Sequence, residues 1–368
     1  MGIRLGEIKE NLRVLVAACL YYSGLVRFAL WCIARSGQHL IILNYHRAIG
    51  GDLRRQLLYL RRYYRVMHLE DALEEFYLSH KEKKQRRDRR VPLALTFDDG
   101  YRDNYTHGFA LARELQVPFT IFLIPGYIES SEPFWWREGE RLVRSARVDE
   151  LTIEGHTYHL AQLEERRALV QTIYIRVFHA QTIAERESFL AAARKALGVP
   201  SSGGEEEGAL PLTWAQVREM EESGLVSFGA HTMHHPILAY LSDPAEVQRE
   251  VGECRTVLEQ QLGHPVRTFA YPVGKPEHIG EEGLQAVKEA GYRWAVTTIE
   301  EVNNPQTDPY LLRRLPGDLA KHWLVMASEL VGLLGVVSRL RKKYRAWTRG
   351  FSRSGSNSTN FHKRPIPG

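Results

Sequence analysis

Asp98 and Asp99 stand at the end of the apolar run LALTF and directly before Gly100. Side chains alternate along a strand, so neighbouring carboxylates point apart and cannot easily share one role. One can ligate a cation while the other, redirected by the bend at Gly100, stays free to accept a proton. Merely opening a turn would use the same two residues. A second polar cluster, His231-Thr232-Met233-His234-His235, ends the run LVSFGA. If this turn is helical, the spacing of four puts His231 and His235 on one face and leaves His234 pointing away. Two neutral imidazoles and one carboxylate make a three-ligand catalytic zinc site with positions left open. His231, His235 and one of the two carboxylates are therefore the candidate ligands, and the cofactor expected is a divalent metal, zinc first. His156 and His159, three apart in a polar segment with no strand before it, read as solvent-facing.

A third segment, Arg267 to Gly274 (RTFAYPVG), ends in a Pro-Gly turn. Backbone N–H groups freed there, such as that of Val273, can face a site and hold a developing oxyanion.

The elements that must position these residues are short β-rich runs alternating with helical patterns. The strands are expected at 40–46, 92–99, 119–125, 225–231, 268–272 and 294–298, and helices at 104–115, 213–223, 244–262 and 280–290. Nearly continuous apolar strands imply a parallel sheet covered by helices on both faces, with its chemistry at the strands' C-terminal ends. The stretch between the first two motifs is longer than βα units need, so an insertion is expected near 136–212. Phe134, Trp135 and Trp136 at its edge would either stack on sugar rings or anchor the insertion.

Composition is that of a globular chain: 368 residues, 44% hydrophobic and 25% charged, enough to bury one large core. Three widely spaced cysteines, Cys19, Cys32 and Cys254, form neither a disulfide framework nor a CxxC metal site. Residues 339–368 hold nine basic residues and no acid, which leaves the preceding residues at a formal −4 against +5 for the whole chain. A uniformly basic nucleic-acid-binding face is not supported. Residues 12–34 are apolar but interrupted by Ser23-Gly24 and Arg27. A helix on the membrane surface, a spanning anchor and an ordinary packed helix all remain open for them. Residues 323–347 run from apolar into basic sequence, which suits anionic lipid or a solvated helix end. A membrane-associated protein is expected. The lack of a clear cleavable signal and of disulfides leans toward the cytoplasmic face.

The three motifs, Thr96 to Gly100, His231 to His235 and Phe269 to Gly274, resemble in this order the signatures of the polysaccharide deacetylases with a NodB-homology domain. The resemblance spans about residues 38–317, between an apolar helical region at 1–37 and a helix with a basic tail at 318–368. It implies a distorted (β/α) barrel that hydrolyses acetamide groups on N-acetylated sugars, whether polymeric or lipid-linked. It also implies Asp98 as general base and Asp99, His231 and His235 as metal ligands. Two departures stand out. Ala270 occupies the place where many members carry an arginine that pairs with the base, a job left to Arg314 or Arg267. The family's late L-x-H signature, source of the general acid, is missing after residue 300, and His46 of Leu43-Asn44-Tyr45-His46 looks like the same element moved to the front. That order resembles the exopolysaccharide-deacetylase branch. A different amide or an O-acetyl ester as substrate, or a catalytically silent glycan-binding protein, are the alternatives.

Overall fold

The computed structural model describes residues 5–77, 88–130, 132–200 and 206–336. The chain forms two compact units, one of Ser36–Ala320 and one drawn from the two ends of the chain.

In the larger unit the strands are β1 (Ile41–Tyr45), β2 (Arg65–Met67), β3 (Pro92–Phe97), β4 (Phe119–Leu123), β5 (Glu150–Ile153), β6 (His156–His159), β7 (Val226–Ala230), β8 (Thr268–Ala270), β9 (Trp294–Val296) and β10 (Leu315–Pro316). Eight of them make one parallel sheet in the order β10-β1-β3-β4-β7-β8-β9, with β2 also paired to β3. All residues of β1, β4, β8 and β9 are buried, which is why these segments read as unbroken apolar runs. Crossover helices such as Trp214–Glu222, Pro244–Leu262 and Pro276–Glu289 cover the sheet.

The sheet curls back on itself. Leu312 bridges Val296 of β9, and three residues later Leu315 and Pro316 pair with Leu43 and Asn44 of β1. One short segment thus touches both edges, giving the distorted barrel expected. Because the strands run parallel, all their C-terminal ends open on one mouth.

Between β4 and β7 the insertion builds its own core from Phe134, Trp135, Leu142, Leu169, Ile173 and Leu190, among others. Its helices Trp135–Arg144 and Ile183–Ala196 are joined by the buried carboxylate of Glu138, which accepts from both Arg141 and Arg194. β5 and β6 form a two-stranded antiparallel hairpin here. His156 and His159, taken above to lack strand context, lie on this hairpin and are exposed.

In the smaller unit, helices Leu5–Tyr22 and Leu25–Ser36 meet at Ser23–Gly24 with a bend of 66°. Ala17, Leu324 and Val325 form a small core with flanking Val14, Tyr21 and Trp323. Among the described residues no single helix is long and apolar enough to cross a membrane, although the bent pair passes by length and composition together. The basic tail expected at 339–368, and with it most of the basic half of 323–347, lies outside the described residues.

Candidate active site at the barrel mouth

β3 ends at Phe97, and the N–H of Asp98 extends its pairing with β1 by donating to the Tyr45 carbonyl. Asp99 then takes φ 74° and Gly100 φ 72°. With two successive left-handed residues there, the neighbouring carboxylates face different partners, Asp98 meeting Arg314 and Asp99 the two histidines. Asp99 Oδ1 lies 3.5 Å from His231 Nε2 and 3.7 Å from His235 Nε2. All three residues are buried and each offers a ligand atom within 4.8 Å of the others.

The histidines are not held by a helix. Residues 231–235 form an irregular loop in which Thr232 and His235 have φ 64° and 56°. The conditional expectation of a helical turn therefore fails, for a physical reason: left-handed residues cannot propagate a right-handed helix. The loop converges the two Nε2 atoms in another way. His231 N–H donates to the Leu123 carbonyl, and His235 N–H donates to Thr232 Oγ1. His234 turns outward and is fixed by the buried Glu250, which accepts from its backbone N–H and contacts Nδ1 at 2.6 Å. Gly126 lets the loop after β4 pass beneath: a Cβ there would lie 2.4 Å from the Met233 carbonyl oxygen.

These donors suit a divalent metal. Tetrahedral zinc bonds to imidazole and carboxylate imply ligand–ligand separations of about 3.4 Å, close to those found. His231 Nδ1 sits 2.6 Å from the Ala270 carbonyl, so it carries the proton and leaves the Nε2 lone pair facing Asp99. Burial lowers the His235 pKa to about 3, which keeps its imidazole neutral as a ligand must be.

Arg314, on the segment that closes the barrel, is the partner of Asp98. Nη1 and Nη2 donate to Oδ1 and Oδ2 at 2.7 and 2.8 Å, and Nε donates to the Thr297 carbonyl. Both side chains are essentially inaccessible. Burial alone would raise the Asp98 pKa, but Arg314, then His231, outweigh it and hold the carboxyl well below the usual range. Arg267 precedes β8 at the opposite end of the barrel, where it faces Glu70 at 3.5 Å. Ala270 contributes its carbonyl rather than its side chain.

Val273 occupies φ 59°, a genuine outlier for a β-branched residue. Gly274 N–H donates to the Pro272 carbonyl at 2.6 Å, closing a three-residue turn of the rare, strained kind. Among the described residues the Val273 N–H makes no backbone hydrogen bond. Of the seven non-glycine residues with positive φ among the described residues, Asp99, Thr232, His235 and Val273 fall in these motifs, a concentration of strain that points to function.

His46 is exposed at the end of β1, close enough to influence both Asp98 and Asp99 electrostatically. Its segment is anchored by two residues that sequence reasoning passed over. Asn104 Nδ2 donates to the His46 carbonyl at 3.0 Å, and the fully buried Asp103 accepts from the Ala48 N–H and from Arg47 Nε. The only signal was polar density in the run after Gly100. Phe134 and Trp135 are buried, and Trp135 Nε1 donates to the His235 carbonyl, so they anchor the insertion to the ligand loop. Trp136 is half-buried with its ring 4.5 Å from that of His235.

A family model described as Polysaccharide deacetylase matches residues 85–172 and 177–295, more than half the chain. The chain belongs to the polysaccharide deacetylase family. Its members are hydrolases of non-peptide amide bonds, and the match takes in the first two motifs, the insertion and the Phe269 to Gly274 turn. A Bacillus subtilis protein provisionally named polysaccharide deacetylase YxkH is 30% identical over 104 residues, 28% of this chain and 36% of that protein. The deacetylase family member thus spans about a third of the length of this curated relative. Two solved structures share the barrel: IcaB from Ammonifex degensii (TM-score 0.51, 19% identity, 79% of this chain and 96% of that one), and the Streptococcus pyogenes deacetylase PplD in complex with acetate (TM-score 0.50, 17% identity, 78% and 96%).

Proposed function

We propose that this deacetylase hydrolyses the acetamide of an N-acetylated glycan to acetate and a free amine, with a divalent metal, zinc by its donor set, held by Asp99, His231 and His235. The observation that carries the reading is the pairing of two unlike buried carboxylates at one mouth. Asp99 faces two imidazoles, whereas Asp98 is clamped by a bidentate arginine. A bound divalent ion polarises a carbonyl and acidifies water.

Asp98, kept ionised by Arg314, accepts a proton from the attacking water as its oxygen bonds to the carbonyl carbon. The Val273 N–H donates to the oxyanion that forms. His46 gives a proton to the amine nitrogen as the carbon–nitrogen bond breaks, leaving acetate and the amino sugar. Its exposed position at the rim suits contact with a leaving group that stays attached to a glycan.

The bent helix pair supports membrane association as a further part of the proposal. Leu12, Leu15, Tyr22, Leu25, Phe28 and Trp31 are exposed, and no acid lies between Glu10 and Asp52. Such a surface suits the boundary of an anionic bilayer. Sedimentation with anionic and with neutral vesicles tests it, and equal absence from both pellets would overturn it.

Acetate released from N-acetylated oligosaccharides tests the enzymatic proposal. Release should stop on chelation and return when zinc is added back. Undiminished release from fully chelated protein would remove the metal from the account.

A further inference from the structure

The two candidate histidine ligands are held in unlike ways. His231 Nδ1 sits 2.6 Å from the carbonyl of Ala270, the last residue of β8, so the barrel itself fixes its ring. His235 Nδ1 is also inaccessible but has no hydrogen-bond partner among the described residues. Metal-ligating imidazoles normally take their orientation from such an outer contact. His235 also sits at φ 56°, where a non-glycine backbone is strained and persists only if its neighbours hold it.

Much of what holds it comes from outside the barrel. Thr232 Oγ1, within the loop, accepts from the His235 N–H. Trp135 Nε1 donates to the His235 carbonyl at 2.9 Å. Trp135 belongs to the insertion between β4 and β7, where its ring is buried against Tyr174 and Phe178 with the Arg186 guanidinium 5.5 Å from its centre. The next residue makes a matching contact on the other ligand-bearing segment. Trp136 Nε1 donates at 2.8 Å to the hydroxyl of Tyr101, two residues after Asp99, and its ring lies 4.5 Å from that of His235. Both indole N–H groups are thus directed to the segments that carry the candidate ligands. The helix that starts there, Trp135–Arg144, is tied within the insertion by Glu138, so the two indoles are presented from a braced base.

We propose that Trp135 is a positioning residue for the metal, and that the insertion sets the affinity of the site by clamping His235 from outside the barrel. The inference rests on the metal reading proposed above and deepens it. Linkage then requires the converse: if docking of the insertion tightens the metal, metal binding must stabilise the docked insertion to the same extent.

Two measurements on the full chain test this. Trp135→Phe keeps an aromatic ring in the pocket and removes the N–H. Its zinc affinity, read by competition with a chromogenic chelator, should fall roughly tenfold. Hydrogen exchange followed by mass spectrometry on the native chain needs no variant: adding zinc should slow exchange in peptides covering 134–144 as well as in those covering 231–235. Native zinc affinity in Trp135→Phe would overturn the inference even if the metal-free melting temperature falls, since that is the behaviour of a merely structural tryptophan. Protection confined to the barrel peptides would overturn it as well. A native chain that binds no zinc is a different result, which removes the metal reading and this inference together.

Discussion

Arg314→Met removes the cation from a pair in which both side chains are inaccessible. What it leaves is an ionised carboxylate with no compensating charge at the head of a buried strand. Deleting one partner of a buried pair typically costs 3–5 kcal/mol, several times the worth of an exposed pair, because the penalty is the stranded charge. Three further donations are lost or weakened at once: those to Thr96, to the Thr297 carbonyl, and the second arm on Asp98. For a domain of this size the melting temperature should fall on the order of 10 °C. Asp98→Asn in the same background should recover part of the loss, since the neutral amide no longer needs the guanidinium. The double variant is then more stable than the two separate costs imply. Arg314→Lys keeps the charge but not the planar fork, so it should fall between. Urea denaturation of the native protein, the two single variants, the double variant and Arg314→Lys measures all of this. A cost below about 1 kcal/mol for Arg314→Met, or strictly additive effects, would refute the claim that this ion pair holds the base.

Three other expectations follow from the same geometry. His235→Ala should lose metal binding outright, whereas His234→Ala should keep a measurable, weakened affinity, since His234 only braces the loop through Glu250; metal content after dialysis separates them. Asp103→Asn should lower kcat by loosening the His46 segment, and should have no further effect in a His46→Ala background, a coupling that steady-state kinetics reads directly. For His264, burial lowers the pKa but the Glu221 hydrogen bond outweighs it, so the folded value is raised. Its contribution is therefore fully present below the unfolded value and lost as pH rises through the folded one. His264→Ala should cost under about 1 kcal/mol at acid pH and nothing at alkaline pH, as paired melts would register.

The six principal strands were legible because burial on both faces leaves an unbroken apolar signature, and their C-terminal residues were legible as chemistry because polar side chains interrupt it. β2 and β10 were not, since two or three residues carry no period. That gap matters, because β10 belongs to the segment that brings Arg314 to Asp98. Sequence left the choice between Arg314 and Arg267 open, and only strand direction resolves it by putting Arg267 at the far end. The loop 231–235 was legible in sequence as a cluster of imidazoles at a strand end, and its conformation only conditionally. Thr232 and His235 are left-handed because the loop must carry both Nε2 atoms to one carboxylate, a tertiary demand with no local propensity behind it. Asp103 and Asn104 were missed for a related reason: their task is to hold a segment more than fifty residues away.

Mass analysis of an N-acetylated oligosaccharide after incubation with the zinc-loaded protein, beside the same protein carrying Asp98→Asn, tests the central claim most directly. Stepwise loss of acetyl groups with the native chain, and intact substrate with the variant at equal zinc content, is the result expected. Equal deacetylation by both proteins would contradict the assignment of the base and the mechanism built on it.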